Sequence, residues 1–319
     1  MNLKPIILAT CTTLITFTGT VSAQPAEPDR PILNAALKAS PSQRLEAANF
    51  YRSAYPNLPK YVYSDLKSAY PNLEHNVVDA LLKTWEQHPG EMIEVANAAR
   101  EQFGPRMQSL RAQVKAELEA SYPNFEERLE KVLAENGVRP RWKKFVEASY
   151  PGLIGENRAA VKESFPQAKG WYPGKFREMF KNRAPGTNPV LDKLTGIVRD
   201  NPQLGPSIAR KVVDMTRLRA PNLGEEVAKH FVDNQGQLRE ALQAEFPGAR
   251  EKVVAVIEQH DPSLPGEVWS FVREQTTPVR ADLRANLDAE MPGFEEIVKT
   301  AVQSRYPDLK SQVLAILTR

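Results

Sequence analysis

The stretch SAYPNL occurs at Ser53–Leu58 and again, 15 residues later, at Ser68–Leu73. Looser copies follow: ASYPNF ends at Phe125, ASYPGL at Leu153, AEFPGA at Ala249 and SRYPDL at Leu309. Each copy places an aromatic residue, a proline, a small residue and an apolar residue in the same order. A repeated order of four residues predicts a repeated local structure.

The proline in each copy predicts the end of one helix and the start of the next. A residue that precedes proline is pushed out of the α region, so the helix before Tyr122 is expected to stop there. Asn124 is a favourable N-cap, and Glu127 three residues later completes a predicted capping box. Leu129 and Val132 then recur at helical spacing. The stretches PNLGEEVAKHF, PGAREKVVAVI and PGFEEIVKTAV repeat this order.

The aromatic residue before the proline has a separate predicted role. Such residues stand at seven corners: Tyr55, Tyr70, Tyr122, Tyr150, Phe165, Phe246 and Tyr306. A large and mostly apolar ring at a helix corner buries much surface and fixes the crossing of two helices. We therefore interpret these rings as wedges of the core and not as a row that stacks a ligand.

The pattern along the chain predicts an all-α protein. About 17 amphipathic segments follow one another, and alternating strand patterns of useful length are absent. Helices this short are marginal alone, so they must pack against neighbours. We expect tandem short helices joined by proline corners, in an irregular helical repeat or solenoid-like array. Whether this array is open, ring-like or divided into two lobes stays undecided from the sequence.

The places where the succession of helical segments is interrupted predict the organisation of the chain. An apolar run followed by VSA predicts a cleaved signal peptide, and a stretch rich in glycine and proline predicts a hinge between two halves. The predicted segments are a signal peptide at 1–23, a flexible lead at 24–40, an N-terminal helical half at 41–167, a hinge or long loop at 168–189 and a C-terminal helical half at 190–319.

Composition excludes several classes of function. Cys11 is the only cysteine and lies in the predicted signal peptide, which excludes disulfide and cysteine-thiolate chemistry in the mature chain. Removing Lys4 from the 42 lysines and arginines leaves 41, against 39 acidic residues. This balance argues against a nucleic-acid partner. Once the signal is removed, no run of about 20 apolar residues remains to span a membrane.

The candidate catalytic patterns have simpler structural interpretations. No HExxH pattern occurs, and His88 and His260 both stand near a proline at a predicted helix end, where the dipole favours a cation. The carboxylate pairs fall in predicted first turns, where they complement the dipole. These pairs are Glu126 and Glu127, Glu225 and Glu226, and Glu295 and Glu296. We therefore predict no catalytic residues, no metal site and no cofactor.

One segment has a larger excess of positive charge than the rest of the chain. Between Arg139 and Arg183 the chain has 11 basic and 4 acidic residues, with aromatic residues among them. The predicted partner-binding patch consists of Arg141, Trp142, Lys143, Lys144, Trp171, Tyr172, Lys175, Arg177 and Lys181. Such a patch suits an anionic partner. A solvated basic face with core aromatics is the simpler alternative.

These patterns together predict a non-enzymatic helical-repeat scaffold that binds another macromolecule. The expected partner is a protein or an anionic glycan or other envelope component, and self-association is a further possibility. The predicted signal peptide places the protein in the periplasm or outside the cell. The alternative left open is an all-α carbohydrate-active envelope enzyme. A deep pocket with a convergent Glu or His beside Tyr and Arg would favour that enzyme.

Overall fold

The structure is a computed structural model that describes residues 31–166, 189–234 and 236–319. Its helices in these ranges are α1 (Pro31–Lys38), α2 (Pro41–Ala54), α3 (Leu58–Ala69), α4 (Leu73–Gln87), α5 (Glu91–Ser121), α6 (Phe125–Asn136), α7 (Val138–Ser149), α8 (Leu153–Ser164), α9 (Pro189–Asp200), α10 (Leu204–Arg219), α11 (Leu223–Asp233), α12 (Gln237–Glu245), α13 (Ala249–His260), α14 (Leu264–Gln275), α15 (Thr277–Glu290), α16 (Phe294–Arg305) and α17 (Leu309–Leu317). No strand occurs in the described ranges, so the predicted all-α class is confirmed. None of the described helices has the length and hydropathy of a membrane span.

The predicted segments at the breaks are described only in part. The predicted signal peptide at 1–23 and all but the last residue of the predicted hinge at 168–189 lie outside the described residues. In the predicted lead at 24–40, the last part is not a loop, because α1 occupies residues 31–38. Ile32 and Ala36 of α1 pack beside the buried side chains of α17, which explains why this short segment is helical.

The proline corners at Tyr55 and Tyr70 are β-turns between two helices. The carbonyl of Tyr55 accepts a hydrogen bond from the N–H of Leu58 at 3.1 Å, and Tyr70 and Leu73 pair in the same way at 2.9 Å. Leu58 begins the next helix and is only 4% exposed. The prediction that these prolines stop one helix and restart another is therefore confirmed at these corners.

The proline corners use two types of turn. At Asn57, with φ −95° and ψ 0°, and at Asn222, with φ −90° and ψ −2°, the angles are those of a type I turn. Where the third residue of the corner is glycine, as at Gly248 with φ 77° and ψ 3° and at Gly293 with φ 78° and ψ 12°, they are those of a type II turn. Only glycine adopts that left-handed angle without a steric cost.

The predicted capping box at Asn124 and Glu127 is wrong. Asn124 has a left-handed backbone with φ 56°, and its side chain forms no capping hydrogen bond. Asn222 likewise caps no amide. An N-cap residue needs an extended backbone, whereas the third position of these turns is not extended. A capping box does form at Ser40, whose hydroxyl accepts from the N–H of Gln43 while its own N–H donates to the Gln43 side chain.

Helix α5 is longer than the sequence predicts. The amphipathic segments EMIEVANAAREQF and RMQSLRAQVKAELEASY predict separate helices on either side of Pro105, but α5 runs through this proline without a break. Phe103 is buried and meets Phe271 of α14 edge to face, with ring centroids 5.5 Å apart. Next to the proline, the Arg106 guanidinium bonds to both Asp261 and Glu267. Tertiary contacts therefore hold the two halves of α5 in line across the proline.

The corner rings pack in pairs that lie far apart in the chain. The Tyr55 and Tyr306 rings meet edge to face with centroids 4.7 Å apart, and those of Tyr122 and Phe246 are 5.4 Å apart. The Tyr122 hydroxyl also donates to the carbonyl of Pro247 at 2.5 Å. These contacts support the interpretation of the rings as core wedges that join distant corners.

These pairs show that the chain doubles back on itself. In one set of contacts, α2 packs on α17, α3 on α16, α4 on α15, α5 on α13 and α14, α6 on α12, and α8 on α10. In a second set, α1 packs on α14, α2 on α13, α3 on α11, α4 on α10, and α5 on α9. A solenoid packs each unit mainly on its sequence neighbours, so this pairing of early with late helices differs from the predicted array. The largest core cluster accordingly contains residues of α2, α3 and α4 together with residues of α15, α16 and α17.

Candidate functional site

Four of the nine predicted patch residues are described, and all four lie on α7. They are Arg141, Trp142, Lys143 and Lys144. The other five, Trp171, Tyr172, Lys175, Arg177 and Lys181, lie outside the described residues. The described part of the predicted patch is therefore confined to α7.

The inner face of α7 belongs to the core. Trp142 packs against a cluster that includes Val146, which is 1% exposed, and Ala220. The Arg141 guanidinium lies over the ring of Phe231 on α11, 5.5 Å from the ring centroid, in a cation–π contact. Two of the predicted patch residues thus hold α7 against α10 and α11 and do not face the solvent freely.

The outer face of α7 carries the lysines. Lys143 and Lys144 are exposed, and neither forms an ion pair with a described residue. Lys229 on α11 is exposed and is likewise without an ion pair to the described residues. Three ammonium groups therefore add positive charge to adjacent faces of α7 and α11 without an ion pair to a described residue.

An open cleft of about 580 Å³ lies between α7 and α11. Its lining combines aromatic, basic, acidic and amide side chains. The lining residues are Phe145, Ser149, Tyr150, Glu226, Lys229, His230, Asp233 and Asn234. The cleft is a groove on the surface and not the deep pocket that would favour an enzyme.

The aromatic side chains of the cleft have fixed positions. Phe145 of α7 and His230 of α11 stack with ring centroids 4.8 Å apart and an angle of 27° between their planes. The Tyr150 hydroxyl donates to a Glu226 carboxylate oxygen at 3.0 Å. Burial and this bond to Glu226 raise the pKa of Tyr150. Tyr150 is therefore a neutral hydrogen-bond donor, and it is not poised as a nucleophile.

The carboxylates of α11 point to different helices. Glu226 accepts from Tyr150 in the cleft, whereas Glu225 pairs with Lys67 of α3 at 2.8 Å. Asp233 pairs with Lys60 of α3 at 3.2 Å. Neighbours on a helix face different directions, so this carboxylate pair does not converge on one substrate bond, as the sequence predicted.

His88 and His260 stand at helix ends, and His88 has two carboxylate partners. His88 follows α4, with Nδ1 2.6 Å from Glu91 and Nε2 2.7 Å from Asp282 of α15. His260 ends α13. Within the described residues, no group of three His, Cys, Asp or Glu side chains has the arrangement of a metal site.

Comparison with protein-family models, with curated proteins and with solved structures found no match for this chain. The candidate site therefore rests on its own geometry. Sequence reasoning found the lysines of α7 from their local charge, but it missed Lys229, His230 and Asn234. The α11 residues lie about 85 positions further along the chain, and only the packing of α7 beside α11 brings them to the same groove.

Proposed function

We propose that the protein is a non-enzymatic all-α scaffold that binds an anionic macromolecule through the outer face of α7 and the adjacent cleft. The partner is a protein with an acidic segment or an anionic component of the cell envelope. The predicted signal peptide at 1–23 supports a periplasmic or extracellular location for this binding.

The observation that carries this proposal is the pair of exposed lysines beside an aromatic groove. Lys143 and Lys144 form no ion pair with described residues, so their charge is available to a partner. Phe145, Tyr150 and His230 supply ring surface in the same groove. Charged groups around an apolar centre are the usual arrangement of a recognition surface.

The rigid setting of α7 also supports binding. Arg141 and Trp142 anchor the inner face of the helix to α10 and α11. A surface whose backbone is already held in place loses less conformational entropy on binding than a mobile one. The helix therefore holds the backbone positions of its lysines fixed.

Charge reversal of the two lysines tests the proposal. We expect Lys143→Glu together with Lys144→Glu to lower recovery of the native partner from envelope extract by about tenfold, since two rim contacts become repulsive. The measurement is quantitative affinity capture with mass spectrometry at low ionic strength, because salt screens such contacts.

The matched control reverses two exposed lysines elsewhere, Lys83→Glu and Lys310→Glu, and this variant should capture the partner as the wild type does. Both variants should keep the helical circular dichroism of the wild type. Equal recovery of the partner by the α7 variant and by the control would contradict the proposal that the outer face of α7 binds it.

A carbohydrate-active enzyme is the second candidate, because Glu226, His230 and Tyr150 line one groove. None of the described residues that line the groove is an arginine, and Glu226 already accepts a hydrogen bond from Tyr150. Hydrolysis of purified envelope glycan by the wild type that is abolished by Glu226→Gln would favour the enzyme. Capture of a partner by Glu226→Gln without any hydrolysis by the wild type would favour the scaffold.

A further inference from the structure

Helices α7, α8, α10 and α11 form a unit with a core of its own. Val146 of α7, Leu153 of α8 and Leu223 of α11 are buried in one cluster, together with the corner that follows α10. Polar contacts add to this unit, since Arg219 of α10 donates to both carboxylate oxygens of Glu156 of α8 at 2.9 Å. We call these four helices the lobe.

Helices α3 and α4, which face the lobe, belong to a different core. Val62 of α3 and Ala80 of α4 are buried in the largest cluster, which they share with residues of α15, α16 and α17. None of the core clusters formed by the described residues combines residues of the lobe with residues of α3 or α4. The contacts of α10 with α4 and of α11 with α3 must therefore be held by other means.

Two ion pairs link α11 to α3. Lys67 of α3 lies 2.8 Å from Glu225 of α11, and it also lies 2.7 Å from Glu74 of α4. Lys60 of α3 and Asp233 of α11 pair at 3.2 Å, and their side chains are 60% and 39% exposed. The pairing of α11 with α3 thus depends on charges that solvent reaches.

Arginines of α10 and carboxylates of α4 continue this line of charges. Arg217 lies 3.0 Å from Asp79, and Arg210 lies 2.9 Å from Glu86 and 3.5 Å from Asp79. The Arg217 guanidinium also donates to the carbonyl of His75 at 3.2 Å. We call the two ion pairs with α3 and these contacts with α4 the polar seam.

A polar seam holds two units less firmly than a shared apolar core does. The Arg217 and Arg210 side chains are 28% and 36% exposed, so salt ions reach them. Exposed ion pairs contribute little each and weaken as salt rises, and a polar interface within one chain is the usual place for relative motion. The start of α10 differs, because Leu204 and Pro206 are buried there. This end of the lobe is therefore the better fixed one.

We propose that the lobe opens away from α3 and α4 along the polar seam, as a hinged body whose closed state is held by these ion pairs. The opening widens from the start of α10 toward α11, and salt favours it. Asp233 lines the cleft beside α7 and also pairs with Lys60, so the opening moves one wall of that cleft. The opening needs no partner and does not rest on the function proposed for α7.

Distances between spin labels test the opening. Cys11 is the only cysteine of the chain, so two cysteines introduced into the full chain with Cys11→Ser define the label positions. Ser64→Cys on α3 and Leu218→Cys on α10 place exposed labels on the two sides of the seam. Double electron–electron resonance at low ionic strength should show one short distance, with a longer one in less than about 10% of the molecules. Sodium chloride at about 1 M should enlarge the longer component several-fold.

Charge reversal on α11 should open the seam without added salt. Glu225→Lys together with Asp233→Lys places like charges beside Lys67 and Lys60, and we expect the longer distance in roughly half of the molecules at low ionic strength. Adding Lys60→Glu to this variant restores one ion pair and should return most molecules to the short distance.

The matched control reverses two acidic residues away from the seam. Glu163→Lys with Glu274→Lys makes the same change of net charge at exposed residues of α8 and α14, and it should keep the distances of the wild type. The α7 variant with Lys143→Glu and Lys144→Glu should also open as the wild type does, which separates this proposal from the proposed function.

A second label pair separates the hinge motion from unfolding. Ser64→Cys with Gln303→Cys spans α3 and α16, which share the largest core, so its distances should change neither with salt nor in the α11 variant. The salt series on the wild type decides the question if the α11 variant loses its helical circular dichroism. Seam distances that stay the same at both salt concentrations, or that change only together with those of the α3–α16 pair, would overturn the proposal.

Discussion

At the scale of the residue, the third position of each proline corner decides how the chain turns. Asn57 takes the right-handed angles of a type I turn, while Gly248 and Gly293 take the left-handed angles of a type II turn. Both turns present an apolar residue to the core at the start of the next helix. Two backbone solutions therefore produce the same corner, and glycine is favoured in only one of them, where Asn124 also adopts a left-handed angle with φ 56°.

The left-handed angle at Gly293 predicts that alanine at this corner has the opposite effect to alanine at Gly155, which lies inside a helix. Gly293→Ala should lower the free energy of unfolding by about 1 to 2 kcal/mol, because alanine is strained at φ 78° although nothing lies within 4 Å of its β-carbon. Gly155→Ala, in α8 and equally uncrowded, should raise it by about 0.5 to 1 kcal/mol. Urea unfolding of both variants measures the two values, and a loss at both positions or at neither would contradict the assigned turn types.

His88 connects the start of α5 to α15 through two bonds to carboxylates. It bonds to Glu91 at the start of α5 and to Asp282 of α15, and its side chain is 10% exposed. The hydrogen bond to Glu91, which outweighs the opposing effect of burial, and the bond to Asp282 raise the pKa of His88 above its ordinary value. The folded state thus holds this proton more tightly than the unfolded chain does.

The sign of the resulting pH dependence follows from the raised pKa. The stabilisation by His88 is fully present below the unfolded pKa of about 6.5 and is lost as the pH rises through the folded pKa. We expect His88→Gln to cost about 1 kcal/mol more at pH 6 than at pH 9, a modest value because both carboxylates are well exposed. His260→Gln at an exposed helix end is the control for urea unfolding at both pH values. A cost of His88→Gln that does not fall with rising pH would disprove the charged bridge.

At the scale of the element, α5 shows where local signals fail. Proline removes a backbone N–H and disfavours the helical angle of the residue before it, so separate helices were the natural prediction. The residue before it is Gly104, which has no β-carbon to clash with the proline ring. The contacts of Phe103 with α14 and of Arg106 with Asp261 then favour a continuous helix. The sequence cannot show these contacts because they join distant positions.

Pro105 should therefore cost stability that the packing offsets. Replacing it by alanine restores a helical hydrogen bond, and we expect Pro105→Ala to raise the free energy of unfolding by roughly 1 to 3 kcal/mol. Pro59→Ala is the control, because Pro59 lies in the first turn of α3, where the N–H has no helical partner. That variant should show no gain. Chemical unfolding checks both, and a loss for Pro105→Ala would mean that the proline itself is required in α5.

At the scale of the whole molecule, the positions of helix ends were readable but their pairing was not. A proline acts on its own neighbours, so the corners at Tyr55 and Tyr122 follow from four residues each. The contact of Tyr122 with Phe246 joins residues more than 120 positions apart, and no local pattern specifies it. The candidate site divides in the same way: the charge of Lys143 and Lys144 is local, whereas the groove beside them requires α11.

Early helices pack on late ones, and zero-length carbodiimide cross-linking tests this arrangement most directly. The reagent joins amines to carboxylates already in contact, and the chain offers Lys252 with Glu117 at 3.1 Å and Lys60 with Asp233 at 3.2 Å. Lys115 with Glu126 at 2.7 Å, which spans a single corner, is the positive control. We predict that mass spectrometry of the monomer fraction will show both long-range isopeptide bonds beside the control. A monomer that contains only links across single corners would contradict the folded-back arrangement.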